Sequence, residues 1–525
     1  MSASASRLPL SFRALTATLA IGAGLTACGG IPVRTGNPPV DPAPTRLDST
    51  RRALREAITA MVETPAFANA HWGVLIVDVV AGDTLYSRNA GKLFMPASNL
   101  KIITGSVALA RLGPQWRWRT PVVATGPVVN GVLRGDLGVI GSGDPSISDR
   151  VLGDAMRPLR AIADSLAARG VKRIAGRVLA MGDAFPDSTH GFGWAWDDFE
   201  FGYSAGIDEL LFNEGTTRVV VTGGARAGAP AIVVTRPASP DVAVRMEATT
   251  IEPPVPASGD GEPRRTRAML DAVREASGGI VVTGSIAVGD SSALTIVHRD
   301  PSGAFIAALR QALAERGIQV EGRTNAMPAG PTADTIATIV SPTLAELLPP
   351  FEKPSQNQMG EMIFKTLGLQ VTGVGSADSA RRVIEAQLTT WGITLQQAVI
   401  RDGSGLSRHD YVSPATLVKV LDIVRRDSAM AAAFIPALPI AGVDGTLASR
   451  MRGTPAAGNV HAKTGYIDRA RSLSGYVTTR DGRVLVFSIL ANNWTTPLRE
   501  VERVQDEIVT RLAALDLGTS PAAAR

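Results

Sequence analysis

The sequence predicts an α+β protein whose principal domain is divided by a long β-rich insertion. Three features point to this. Residues 46–113 read as helix, hairpin and helix; residues 114–334 alternate short β-like runs with Gly- and Pro-rich turns; residues 335–515 return to helices and then strands. At 525 residues the chain also exceeds what one hydrophobic core supports, so more than one domain is expected.

In chain order, the first thirty residues read as a targeting segment. Arg7 and Arg13 precede a short apolar run, Ala14 to Leu25, that ends at Leu25-Thr26-Ala27-Cys28. That end resembles the lipobox of bacterial lipoproteins, in which the cysteine is lipidated and becomes the mature N-terminus. Cys28 is the only cysteine, so no disulfide or cysteine metal site competes for it. A signal peptide over 1–28, a flexible Gly- and Pro-rich tether over 29–45 and a lipid anchor in a membrane are therefore expected. The alternative is a plain secretory signal releasing a soluble periplasmic protein. Gly29, rather than aspartate, after the cysteine leans toward the outer membrane of a Gram-negative host.

Arg46 to Glu63 is patterned as an amphipathic helix. Trp72 to Val77 and Thr84 to Tyr86 form a hairpin around Ala81-Gly82-Asp83, and Pro96 opens a turn into a helix over Ile102 to Leu112. In the insertion, strands are expected at Pro121–Ala124, Leu137–Ile140, Arg218–Thr222, Ala231–Thr235, Ile280–Val288 and Leu294–Val297. Helices are expected at Arg150–Arg169 and Ser302–Arg316, with an exposed loop at Ser239–Arg267. The returning half reads as helix over Leu344–Leu367, Ser376–Trp391 and Ser413–Asp427. Strands at Gly458–Thr464, Ser472–Thr478 and Val484–Asn492 follow, then a closing helix at Thr496–Leu515 and a flexible tail, 516–525.

The net charge of +5 is small for this length, and the arginines are scattered rather than set in a basic stripe with aromatics, which argues against nucleic-acid binding. Lysine is scarce. The seven lysines are 92, 101, 172, 353, 365, 419 and 463, and an amine that can lose its proton is something arginine cannot replace. Of these, Lys101 alone has a serine three residues before it, so Ser98 and Lys101 share a helix face. A serine beside a lysine held in poor solvent is a nucleophile with its own base. Lys463 alone opens Lys463-Thr464-Gly465, on a predicted strand; Lys365-Thr366-Leu367 is a near miss. Between them Ser355-Gln356-Asn357 enters a helix.

These three motifs in this order resemble the active site of the penicillin-recognising serine enzymes. The long insertion after the first motif is similar to that of the D-alanyl-D-alanine carboxypeptidase/endopeptidase family, the class C low-molecular-mass penicillin-binding proteins. Gly141 to Pro145, Gly193 to Asp198, Asp402 to Arg408, Gly445-Thr446-Leu447 and Ser472 to Tyr476 match as well. The resemblance implies a β-lactamase/transpeptidase-like domain, an antiparallel sheet with helices, made from 46–113 and 335–515, with 114–334 inserted.

It further implies that Ser98 attacks the D-Ala-D-Ala peptide bond to form an acyl-enzyme, with Lys101 as general base. Ser355 would relay a proton to the leaving amine, and Asn357 would orient Lys101 and the substrate amide. Lys463 and Thr464 would hold the substrate carboxylate, while Gly465 lets the substrate lie against the strand edge. The backbone N–H groups of Ser98 and Tyr466 would form the oxyanion hole, with Tyr466 standing where a small hydroxyl residue is usual. Arg408, Asp468 and Asp144 are candidate contacts to the stem peptide, with ordinary turn hydrogen bonding as an equal alternative. No cofactor or metal is expected; the five histidines lack ligand spacing. The expected partners are peptidoglycan stem peptides and β-lactam antibiotics.

Gly202-Tyr203-Ser204-Ala205-Gly206 matches a nucleophile elbow in letters, but lacks the buried strand before it and the long helix after it. Two rival functions stay open: a serine β-lactamase, and a catalytically silent lipoprotein that binds cell-wall peptide.

Overall fold

In the computed structural model, residues 46–237, 242–253, 268–275, 278–322 and 334–518 are described. Cys28, the tether and most of the tail lie outside these residues. Among the described residues, no helix is long and apolar enough to cross a membrane.

The first and last parts of the chain build one antiparallel sheet. Its strand order is Asp83–Arg88, His71–Asp78, Val484–Asn492, Ala470–Thr478, His461–Ile467. His71–Asp78 pairs with Val484–Asn492 in an unbroken register from His71 opposite Asn492 to Asp78 opposite Leu485. Side chains alternate across this sheet with the period of two that a pleated strand imposes. Trp72, Val74 and Ile76 enter a core with the helices Arg46–Val62 and Leu498–Ala514, whereas Leu75 and Val77 pack against the opposite core. That second core is built around the helix Leu100–Leu112, in which every residue from Leu100 to Leu109 is buried. A helix that is apolar all round belongs in the middle of a domain, and here it carries Lys101 with it.

An ion pair ties the end of His71–Asp78 to the start of its neighbour Val484–Asn492, and so joins the first and last parts of the chain. Arg483 Nη1 lies 3.0 Å from Asp78 Oδ2, with side-chain exposures of 7% and 1%. Replacing Asp78 with alanine leaves a buried guanidinium with less compensation, so a loss of about 3–5 kcal/mol in unfolding free energy is expected, measurable by denaturant titration.

Two of the helices expected from sequence are broken in the structure. The run from Leu344 becomes Leu344–Glu352 and Asn357–Thr372. Pro349 and Pro350 lie in the first of these, and the Gln356 side chain accepts a hydrogen bond from Met359 N to cap the second. The break places Ser355 at φ 64°, a conformation that a continuous helix would forbid. The Arg150–Arg169 segment divides at Gly153, φ 75°, into Asp149–Leu152 and Arg157–Ala168.

Two larger cores lie in the insertion, among the described residues. One lies among Arg157–Ala168, Pro301–Glu315 and the sheet ordered Asp334–Val340, Arg119–Ala124, Leu137–Ile140, Val178–Met181. Asp334–Val340 pairs with Arg119–Ala124, so this sheet draws in a strand that the boundary at 335 assigned to the returning half. The other core lies among strands between Thr216 and Val297. The segment expected as an exposed loop contains two of them, Val244–Met246 and Thr249–Ile251, both parallel to Ile280–Ala287. Its remainder, 239–241 and 254–267, lies outside the described residues.

Candidate active site

Ser98 sits on a 3-10 turn, Ala97–Asn99, that leads directly into the helix Leu100–Leu112. The turn is held against the sheet by side chains. Asn99 Nδ2 donates to Lys463 O at 2.8 Å, Ser472 Oγ donates to Pro96 O at 2.6 Å, and Asn492 Oδ1 accepts from Met95 N at 2.8 Å. Ala97 is forced to φ 47°, a strained value for a residue with a Cβ. Two glycines make room for the turn. A Cβ at Gly405 would fall 1.9 Å from Ala97 O, and one at Gly465 would fall 2.7 Å from Pro96 O and 2.9 Å from Ser98 N. Gly465 therefore has a role beyond the expected one: it lets the strand approach the nucleophile's own backbone.

One turn into the helix, the Lys101 ammonium is fully buried and donates three hydrogen bonds. These go to Ser98 Oγ at 2.9 Å, Asn357 Oδ1 at 2.7 Å and Ser404 O at 2.7 Å. The geometry suits proton transfer, since the hydroxyl lies within direct reach of the amine. Burial pulls Lys101 down to about 8, against the negative charges of Glu352, Asp402, Glu361 and Asp410, which pull it up.

The loop that presents Ser404 O is pinned from both sides. Glu361 Oε1 accepts from Gly403 N at 3.0 Å and Ser404 N at 2.8 Å. Asp402 accepts from Gly405 N and Ser407 N, each at 2.7 Å, and from Trp194 Nε1 at 2.9 Å. Asn357 is anchored in turn, donating through Nδ2 to Tyr203 O at 2.8 Å.

Lys463 lies on the edge strand of the sheet, wholly buried, with Nζ 3.0 Å from Thr464 O. Burial and then the Lys101 charge pull its ammonium down to about 7, against Glu352. Thr464 Oγ1 meets Thr446 Oγ1 at 2.6 Å. A cleft of about 730 Å³ opens over these groups, lined by Ser98, Ser355, Asn357, Thr464, Gly465, Tyr466, Arg408 and Asp468 among others. An edge strand bordering a cleft offers free backbone groups to an extended peptide.

The structure thus gathers ten of the sequence-predicted residues around one cleft: these eight line it, and Lys101 and Lys463 lie buried beneath it. Arg408 Nη1 donates to Asp468 O at 3.0 Å, which joins the loop to the turn of the terminal hairpin. Asp144 follows the alternative stated for it, turn hydrogen bonding, and not the stem-peptide contact. It is buried outside the cleft lining, and its carboxylate accepts from Ser146 N at 2.8 Å, so it stabilises its own loop. The Gly202–Gly206 segment holds no nucleophile, because Ser204 is buried and its hydroxyl donates to Asp198 O and Phe201 O. It does serve the site, since Tyr203 O holds Asn357. Sequence reasoning passed over Asn99, Tyr203, Glu352 and Glu361. The available signal was Glu361, a charge set among Met359, Met362 and Ile363 on a buried helix face.

The model of the D-Ala-D-Ala carboxypeptidase 3 (S13) family matches residues 54–515. The chain belongs to this family. A D-alanyl-D-alanine carboxypeptidase from Actinomadura sp. (strain R39) is 34% identical over 489 residues, covering 90% of this chain and 86% of that protein. The D-alanyl-D-alanine carboxypeptidase DacB of Haemophilus influenzae is 24% identical over 432 residues, 81% of this chain and 86% of that one. The crystal structure of penicillin binding protein 4 (dacB) from Haemophilus influenzae has the same fold, with a TM-score of 0.73 at 22% identity over 88% of this chain and 99% of that one. The S13 fold is thereby the mixed α/β, transpeptidase-like fold expected from the motifs.

Proposed function

We propose that this S13 protein is a serine D-Ala-D-Ala carboxypeptidase and endopeptidase that works through an acyl-enzyme on Ser98. The observation that carries the reading is the buried Lys101 amine, 2.9 Å from Ser98 Oγ. Its lowered proton affinity makes the free base accessible near neutral pH, which is what activation of a serine hydroxyl requires.

Ser98 Oγ attacks the carbonyl carbon of the penultimate D-Ala while its proton passes to Lys101 Nζ. The resulting oxyanion lies between the N–H groups of Ser98 and Tyr466. As the C–N bond breaks, the proton returns through Ser355 to the leaving amine, and water then hydrolyses the ester. Asn357 keeps Lys101 aligned, and Lys463 with Thr464 takes the substrate carboxylate. That carboxylate raises the proton affinity of Lys463, so the bound substrate restores the ammonium that binds it. When the leaving amine belongs to a second stem peptide, the same steps open a cross-link. Arg408 and Asp468, which line the cleft, would contact the stem peptide. β-Lactams would acylate Ser98 as inhibitors. The protein would act outside the cytoplasm, lipid-anchored at Cys28 on the periplasmic side of the outer membrane.

The test is fluorescent penicillin labelling of wild type and Ser98→Ala, with timed release and D-Ala release from a pentapeptide. Labelling that persists for many minutes and vanishes in S98A is expected. Rapid turnover of the drug would make it a β-lactamase, and no serine-dependent labelling would leave a silent binding protein.

A further inference from the structure

Glu352 ends the helix before Ser355, and its side chain is wholly buried with neither carboxylate oxygen hydrogen-bonded among the described residues. An uncompensated carboxylate in such a place costs several kcal/mol, so its charge needs partners. Its surroundings identify them. A Cβ at Gly105 would lie 3.0 Å from Glu352 Oε1, and Gly105 stands one turn beyond Lys101 on the same helix. On the other side, Lys353 O accepts from Thr446 N at 3.0 Å, and the Thr446 hydroxyl meets that of Thr464, the neighbour of Lys463.

The charged groups acting on Lys101, Glu352 and Lys463 come from every surrounding element. They are Glu361 on the following helix, Asp402 and Asp410 on the loop, and Arg471 on the terminal hairpin. Glu361, Asp402 and Asp410 each accept backbone N–H hydrogen bonds, from Ser404, Gly405 and Arg401 respectively. Arg471 is paired with Glu502 at 2.6 Å. Glu352 alone among the four carboxylates has its charge offset only by the two lysines.

We propose that Glu352 is a positioning residue for the reaction, a single buried carboxylate shared by Lys101 and Lys463. It offsets one cation in the cleft, so that the Lys463 ammonium is held for the substrate carboxylate while Lys101 stands ready as base. The inference rests on the function proposed above. Burial pushes Glu352 up to about 7, while Lys463 and Lys101 pull it down, so the three groups exchange protons as a set in the working pH range. Removing the negative charge favours deprotonation of both amines. The acid limb of the acylation profile then moves to lower pH, and substrate binding through Lys463 weakens.

Glu352→Gln keeps the shape and removes the charge. Its acylation by fluorescent penicillin across pH 5–10, and its KM for a pentapeptide at pH 7, read the two effects. The limb is expected to fall by about one unit and KM to rise about tenfold, with Glu352→Asp restoring both toward wild type. A limb that stays in place, whether activity falls or not, overturns the proposal, because a purely structural role lowers rates at every pH. Should E352Q not fold, carboxyl-13C glutamate NMR of wild type and Lys463→Met reads the same charge, assigned through E352D. The Glu352 midpoint is expected to rise when the Lys463 cation is removed, and an unmoved midpoint overturns the proposal. A wild type that penicillin does not acylate removes the proposed function and this inference together; a labelled wild type with an unmoved limb in E352Q removes only the latter.

Discussion

Lys101→Met is expected to lower the rate of penicillin acylation and of D-Ala release about 10³- to 10⁴-fold, the upper range for loss of a general base. Methionine fills the same buried space but accepts no proton from Ser98, and it leaves Asn357 Oδ1 and Ser404 O without their shared donor. The wild-type rate rises with pH as Lys101 loses its proton, with the steep part near 8. The residual rate of the variant loses that limb, which stopped-flow acylation at several pH values will show. A fall of less than tenfold, or a limb retained in the variant, would assign the base elsewhere. Stability moves the other way. The folded protein releases the Lys101 proton near 8 and the unfolded chain near 10.5, so protonated Lys101 costs stability below 8 and that cost disappears as pH rises toward 10.5. Removing that cost offsets the two acceptors left without a donor, so the melting temperature of the methionine variant at neutral pH is expected not to fall below wild type, which separates lost chemistry from lost fold.

Gly465→Ala is expected to lower acylation about 10²- to 10³-fold, the scale of removing one oxyanion donor. The added methyl would meet Ser472 Oγ at 2.2 Å, Pro96 O at 2.7 Å and Ser98 N at 2.9 Å. Two of those three atoms are backbone of the nucleophile turn, so relief comes only by pushing the turn off the strand. That motion breaks the hydrogen bond from Ser472 to Pro96 and turns the Ser98 N–H away from the oxyanion. Gly91→Ala is the control, since a Cβ there meets nothing within 4 Å. Near-wild-type acylation by G465A, with G91A unchanged, would show that the oxyanion donors tolerate the displacement.

The cluster that forms the candidate site was more legible in the sequence than its support. Ser98, Lys101, Ser355, Asn357 and Lys463 stand in short motifs whose spacing survives as letters. The sheet strands were legible too, because Trp72 to Val77 and Val484 to Asn492 are apolar runs with clear ends. The breaks at Gly153 and Ser355 were marked in the sequence only by Gly153 itself and by Pro349, Pro350 and Pro354, signals weaker than the helix-compatible residues on both sides. Asp144 had two equal readings in the sequence because a carboxylate in a Gly-rich loop looks the same whether it faces a cleft or caps its own turn. Asn99 and Glu352 were illegible for a different reason. Their importance comes from partners hundreds of residues away, and no local pattern records such a partner.

The same distances govern how the protein comes into being. Met95 and the Asn492 side chain that fixes it are 397 positions apart, and Asn99 and Lys463 are 364 apart. Contacts of such high sequence separation form late and slowly in folding. During synthesis, the segment that carries Ser98 therefore waits without its central strand partner until Val484–Asn492 has been made. A nascent chain that stops before Val484 has Ser98 and Lys101 but lacks the central strand that joins the two hairpins of the sheet.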